Sequence, residues 1–390
     1  MSSFGSASGP AVAIIGAGVI GLSIGWRLAA AGVPVSLFER GEAGRGASWA
    51  AAGMLAAGSE VEPGEQALFP LLRRSQAMWP GFAADLERAS GIDVALKTEG
   101  TLTVALTRDD LERLRQTERL HKSLGIESRW LDRAEALELE PHLNPRLAGA
   151  LVVPGDHQVD NRLVVEALRL AFVGAGGVLR EKLGDVSVRV ANGRAAGVEA
   201  EGRIHAAPTV IVAAGAWSRL VPGLPPAAVP PVRPVKGQML ALSMDPAAPL
   251  VRHVVWAPKS YIVPRRDGRL IVGATVEEKG FDDRLTAGGM LALLEAAWRA
   301  IPGIEELPIA ESWTGFRPGS RDDAPILGRT AVEGLVLATG HHRNGILLAP
   351  LTAKLIFDLL IDGVADPMVE AFSVARFADV SEGKARWKSA

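Results

Sequence analysis

Six residues, Gly16-Ala-Gly18-Val-Ile-Gly21, limit what this chain can fold into more than any other stretch. They follow the apolar run Ala11–Ile15 and lead into helical periodicity at Ile20, Ile24 and Leu28, with Gly32 placed to end the helix. Each glycine has a mechanical reason. Gly16 permits a tight turn, Gly18 lets backbone approach a pyrophosphate, and Gly21 lets the helix pack close to the strand. The free amides and positive dipole at such a helix start favour phosphate. A second strand, Val35–Phe38, ends at Glu39, 18 residues after Gly21, where a carboxylate accepts ribose hydroxyls. A carboxylate there argues against a ribose 2′-phosphate but does not separate NAD from FAD. An ordinary glycine turn with a surface Glu is spelled the same way.

No charged side chain occurs between Met1 and Arg27, so this segment also needs a membrane test. Ala11 to Trp26 is short of the ~20 residues a span requires, and glycines interrupt it. Met1–Pro10 lacks the Lys or Arg of a secretory signal. No later stretch is expected to span, so no integral membrane segment and a cytoplasmic protein are expected. The 390 residues exceed one typical domain and make two the prior. With 48% hydrophobic and 22% charged residues there is ample material for a core, and disorder is excluded. A net charge of −2 gives no nucleic-acid surface. The absence of cysteine removes disulfides, thiolate metal sites, cysteine nucleophiles and thioether-linked cofactors.

Two more buried strands are expected at Thr209–Val212 and Leu335–Ala338, the second followed by a long apolar helix, Ile346–Leu360. Between them lies other material. Thr101–Leu106 reads as a strand, and Arg108–Leu124 as an exposed helix with Thr107 and Asp110 as its capping box. Tyr261–Arg265 and Arg269–Thr275 read as a hairpin across Asp267-Gly268, and the proline-rich Pro222–Pro234 as a connector. The expected fold is α/β plus antiparallel β: a Rossmann-like domain of segments 1–85, 145–230 and 315–390, with a mainly antiparallel domain, 86–144 and 231–314, inserted twice.

The small-residue loop from Gly44 to Met54 carries charge only at Arg45 and a hydroxyl at Ser48, so it can lie along a long cofactor beyond its pyrophosphate. A packed loop of small residues is the alternative. Gly340-His-His-Arg-Asn-Gly345 precedes the last helix, whose N-terminus could stabilise an anionic reduced flavin. A capping loop with two surface histidines is the competing reading. Adjacent His341 and His342 cannot share a face, so no metal pair is expected. Arg317 and Arg343 either clamp a carboxylate through planar guanidinium groups or pair with structural acids such as Asp322 and Asp323. Tyr261, the single tyrosine, either donates to a carboxylate or is a buried phenol satisfied by backbone.

Together these residues resemble the FAD-dependent D-amino-acid oxidase superfamily, most closely its glycine oxidase branch. The resemblance runs from about Val12 to Phe372. It rests on Ala51-Ala-Gly-Met-Leu55, Pro234-Val-Lys-Gly237, Tyr261-Ile-Val-Pro-Arg265, Gly315-Phe-Arg-Pro-Gly319 and Arg343-Asn-Gly-Ile-Leu-Leu-Ala-Pro350, in family order. It implies FAD contacts at Val19, Ile20, Glu39, Arg40, Ala47, Ser48, Ala52, Gly53 and Met54, beside Gly16, Gly18 and Gly21. It adds Val186 at the adenine and the backbone of His341, His342, Arg343, Asn344, Gly345, Ile346 and Leu347 around the flavin. It makes Arg317 the carboxylate-binding arginine, Tyr261 its partner phenol and Arg343 a further substrate contact. Lys259 stands where close glycine oxidases carry a histidine, which puts the substrate in question more than the reaction.

The implied reaction oxidises glycine or another small amino acid, such as sarcosine or a small D-amino acid, with hydride leaving Cα for flavin N5. Imino acid, oxo acid, ammonia and peroxide follow, with molecular oxygen as the other substrate. The family's biosynthetic use supplies an imine for the thiamine thiazole, and a homotetramer is the expected assembly. A dehydrogenase feeding a membrane acceptor and a flavin-binding assembly subunit remain as alternatives. Without cysteine, FAD is expected to be non-covalent, and denaturation should release it intact. No general base is evident in the sequence.

Overall fold

The computed structural model describes residues 11–380. The chain divides into two compact units, the first made of Met1–Ser48, Val165–Pro234 and Arg317–Ala390, the second of Trp49–Val164 and Val235–Phe316. Met1–Pro10 and the end of the expected segment 315–390 lie outside the described residues. Two expected divisions, after 85 and after 144, fall elsewhere, because pairing draws the whole of Trp49–Val164 into the second unit. Met54–Leu55 pairs with His157–Gln158, and Gly149–Val153 pairs with both Thr101–Ala105 and Arg129–Leu131.

The first unit is built on a six-stranded sheet ordered Ile326–Arg329, Leu335–Thr339, Thr209–Val212, Val12–Ile15, Val35–Phe38 and Val178–Arg180. All neighbours are parallel except the edge strand Ile326–Arg329. The four inner strands are mostly apolar, with Ser36, Thr209 and Thr339 as the exceptions, because both faces are covered. One face contributes Ala13, Ile15, Phe38, Val210 and Leu335 to a core shared with Val186, Val188 and Val198 of a three-stranded antiparallel sheet. Helices Val19–Ala30 and Gly345–Phe357 pack against each other. The second helix is apolar on most sides and begins and ends as tighter or wider turns. The whole run His342–Asp362 is long and apolar enough to cross a membrane, which corrects the expectation that no such stretch follows. Burial of 67% of that window inside the protein accounts for its composition.

The second unit holds an eight-stranded sheet in which Val254–Ala257 pairs in parallel with Thr101–Ala105. The hairpin across Asp267-Gly268 forms from Ser260–Pro264 and Arg269–Gly273, and Gly268 takes the positive φ of 90° that the turn needs. Helix Arg108–Leu124 starts at the expected capping box. Thr107 Oγ1 accepts from Asp110 N–H at 3.2 Å and Asp110 Oδ2 accepts from Thr107 N–H at 2.9 Å. Helix Phe69–Ser90 escapes a sequence reading because Pro80 lies inside it.

Four donors fix the loop Trp49–Gly53 by its carbonyls. Asn161 Nδ2 donates to Trp49 O (3.0 Å), Trp313 Nε1 to Ala50 O (3.0 Å), Arg265 Nη2 to Ala52 O (2.6 Å) and Val159 N–H to Gly53 O (2.9 Å). The Arg162 guanidinium lies 3.8 Å from the Trp49 ring centroid and 4.9 Å from that of Trp313, and it pairs with Glu311 at 2.6 Å. Arg265 also donates to Val159 O (2.5 Å), Asn161 Oδ1 (2.9 Å) and Gln158 Oε1 (3.3 Å). Burial pulls its pKa down to about 10, with Asp160 opposing the fall, so the guanidinium stays charged at neutral pH.

A Cβ on Gly21 would sit 2.0 Å from Gly16 O, so Gly21→Ala should cost ~1–3 kcal/mol by forcing the helix off the turn. Gly81, inside Phe69–Ser90, has open space, and Gly81→Ala should stabilise by ~0.5–1 kcal/mol. Denaturant midpoints of the two variants, moving in opposite directions, check this contrast. Arg265→Ala should cost ~3–5 kcal/mol by stranding four buried acceptors. Lysine should restore only part of the midpoint, since a point charge cannot span acceptors placed for a planar fork.

Candidate functional site

In the first unit, both packed helices follow parallel strands, Val12–Ile15 and Leu335–Thr339, so both begin at the carboxyl edge of one sheet. This is where open α/β sheets bind ligands. No side chain among the described residues caps either helix from its N-cap position, Gly18 or Asn344. Gly16 and Gly21 both stand where backbone approaches too closely for a side chain. A Cβ on Gly16 would meet Ala213 O at 2.5 Å, and Gly21 lies against Gly16 O. Gly18 is half-exposed, so backbone there is open to a ligand. Ile20 is buried, and the N–H of Val19 donates to Ser48 Oγ at 2.9 Å, which brings the Ala47-Ser48 turn to the helix start.

Glu39 accepts from the N–H groups of Ala17 (2.8 Å) and Gly41 (2.9 Å), one on each carboxylate oxygen. Each oxygen retains a lone pair for a further donor. The Arg40 guanidinium lies 5.3 Å from the Trp217 ring centroid. Val186 is buried in the core cluster with Phe38. The glycine turn, the carboxylate and two helix starts on one sheet edge form a cradle that fits FAD. Its open backbone is what a pyrophosphate and an anionic ring require.

The loop His341–Leu347 is not a surface cap. His341 is 2% exposed and hydrogen-bonded through Nε2 to Thr352 Oγ1 at 3.1 Å, and burial lowers its pKa to about 3. The His342 side chain is 11% exposed. Its pKa falls to about 3, first through burial and then through the charges of Arg343, Arg317 and Arg233. The imidazole is therefore neutral, with burial as the main cause and three guanidinium charges adding to it. Asn344, Ile346 and Leu347 are buried, whereas Arg343 and Gly345 are half-buried. The acids named as alternative partners of Arg317 have other contacts. Asp322 pairs with Arg376 at 2.8 Å, and Asp323 lies 3.5 Å from Arg233. Sequence reading did not single out Arg233, at the end of the proline-rich stretch, because nothing local distinguishes it.

In the second unit, Ala52 and Gly53 are buried and Met54 half-buried in the anchored loop. Tyr261 stacks beside Trp256, its pairing partner, at a centroid distance of 5.3 Å, and its Oη lies 3.9 Å from Met239 Sδ. It faces Gly273 across the hairpin, and a Cβ on Gly273 would fall 2.7 Å from Oη. Counting register across Asp267-Gly268 would have revealed that dependence. Lys259 is exposed at the second position of the two-residue turn before Tyr261's strand, with φ of 70°.

The FAD dependent oxidoreductase family matches residues 11–359. Glycine oxidase of Geobacillus kaustophilus is 39% identical over 352 residues, covering 90% of this chain and 92% of the relative. Its crystal structure superposes with a TM-score of 0.84 at 37% identity, over 94% of this chain and 97% of that one. Iminodiacetate oxidase of Chelativorans sp. BNC1 gives a TM-score of 0.81 at 30% identity, over 93% and 98%. The bifunctional protein ThiO/ThiG of Trichormus variabilis is 35% identical over 368 residues, and the alignment takes in 94% of this chain but 55% of that protein. The chain belongs to the FAD-dependent oxidoreductase family, as an amino acid oxidase of the glycine oxidase type.

Proposed function

We propose that the chain oxidises glycine or a similarly small amino acid, such as sarcosine or a small D-amino acid, and passes the electrons to oxygen. The observation that carries this reading is the 39% identity to a glycine oxidase over 90% of the chain, beside which the charges of Arg343, Arg317 and Arg233 act on neutral His342 in the first unit. In this reading the first unit binds FAD, with the pyrophosphate at Gly16–Ile20, ribose at Glu39 and the ring at His341–Leu347. Within the second unit, Ala52, Gly53 and Met54 are read as further cofactor contacts. FAD when bound would supply the two-electron chemistry, taking hydride from Cα at N5 and giving peroxide with oxygen.

The protein's part is orientation. Arg317 and Arg343 hold the substrate carboxylate, and the Tyr261 hydroxyl supplies a further donor, so that one Cα–H bond faces the acceptor. The space left by Gly273 supports this use of Tyr261, since any side chain there would displace the phenol. Lys259, at an exposed turn, tunes which amino acids enter. Likeness to a ThiO/ThiG protein supports a place in supplying the imine for the thiamine thiazole.

Arg317→Ala should remove ~2–4 kcal/mol of transition-state stabilisation. That is about 30- to 1,000-fold in kcat/KM. Lysine should rescue poorly, and FAD should stay bound. Amines without a carboxylate should lose far less than amino acids. Equal losses for both substrate types would make Arg317 a fold residue and refute the clamp.

A further inference from the structure

We propose that Trp217 holds the Arg40 guanidinium across the glycine turn, where its charge faces the cofactor diphosphate and slows the loss of FAD. Trp217 acts through Arg40 and is a positioning residue. The inference rests on reading Gly16–Ile20 as the pyrophosphate site and is independent of which amino acid is oxidised.

Strand order places the pair. Val35–Phe38 and Thr209–Val212 flank Val12–Ile15 on opposite sides, and all three run parallel. Arg40 follows one flanking strand and Trp217 the other, so both leave the sheet at its carboxyl edge. Two strand spacings separate their starting points, about 10 Å. Yet Arg40 Cζ lies 5.3 Å from the Trp217 ring centroid, so the contact spans the end of Val12–Ile15, where the glycine turn begins. The loop Gly44–Ser48 closes the same ring. It leaves the turn where Gly44 N–H donates to Ala17 O at 2.8 Å. It reaches the tryptophan at Gly46, where a Cβ would already touch the ring at 3.7 Å, and returns to the helix start at Ser48.

Trp217 is itself fixed. It belongs to the short helix Gly215–Leu220, where buried Ser218 Oγ and Thr339 Oγ1 are hydrogen-bonded at 2.6 Å. Thr339 Oγ1 also donates to Gly215 O at 3.2 Å. Arg40, by contrast, is exposed, and among the described residues it pairs with no carboxylate. Its neighbour Glu39 turns both oxygens to backbone N–H groups instead. An acid would hold the guanidinium but cancel its charge toward a second anion. An aromatic face holds it through the ring quadrupole and leaves the positive charge whole. That is the arrangement a diphosphate requires of a neighbouring arginine.

Release of FAD from the diluted holoenzyme, followed as the rise of flavin fluorescence, tests this without turnover. Arg40→Gln should release FAD ~10- to 100-fold faster. It should also flatten the acceleration by salt that the wild type shows, because the charge pair is gone. Trp217→Leu keeps apolar bulk but no quadrupole, and release should quicken ~3- to 30-fold, whereas Trp217→Phe should recover part of that loss. Should Trp217→Leu fail to fold, Trp217→Met takes its place. The double variant with Arg40→Gln should release FAD no faster than Arg40→Gln alone. ADP, which carries the diphosphate without a flavin, should compete with FAD, and adenosine far less. Equal rates for Trp217→Phe and Trp217→Leu, additive losses in the double variant, or a wild-type rate and salt dependence in Arg40→Gln overturn the inference. Adenosine competing as well as ADP removes the diphosphate reading beneath it. No substrate enters these measurements, so an enzyme that oxidises none of the proposed amino acids would still pass or fail them.

Discussion

The packing of helix Val19–Ala30 on helix Gly345–Phe357 is the contact from which the rest of the first unit follows. Leu347, Leu348, Leu351, Leu355 and Ile356 are all at most 2% exposed. Each such side chain contributes ~1.5–3 kcal/mol by leaving water. Glycine permits the approach on the other side, since a Cβ at Gly25 would sit 2.9 Å from Leu37 and 3.1 Å from Phe172. Because both helices leave parallel strands, this apolar contact also delivers two positive helix ends to one sheet edge. A chain built this way has placed its anion sites before any polar side chain is considered.

The two units handle buried cations in opposite ways. Arg265 keeps its charge in the interior because carbonyl and amide oxygens surround it, and in return it fixes the loop Ala52–Gly53. His342 gives up its charge instead, first through burial and then through the charges of Arg343, Arg317 and Arg233. The first arrangement is rigid by construction. The second is kept neutral chiefly by the cost of burying a charge without a hydrogen-bond partner.

What the sequence made legible is what local rules govern. Thr107 and Asp110 announce a helix start, Asp267-Gly268 a hairpin, and Gly16–Gly21 a strand–helix turn, because each depends on residues a few positions apart. Arg317, Tyr261 and Arg343 stand out in the sequence with structural alternatives open, and only the resemblance assigns them roles. Asp323 beside Arg233 and the burial of His342 depend on pairing between distant segments, so no window of sequence contains them. The division at Ser48 was missed for the same reason. It follows from strand pairing of Met54–Leu55 with His157–Gln158, over a hundred positions downstream.

The central claim is that this FAD-dependent enzyme oxidises a small amino acid and uses oxygen as the acceptor. Anaerobic titration of the purified yellow protein with glycine, sarcosine, iminodiacetate and small D-amino acids, followed by admission of air, tests it most directly. The account predicts that at least one of these bleaches the flavin bands, and that air restores them with an equal amount of peroxide. A flavin that none of them reduces, or one that air reoxidises without peroxide, would contradict it.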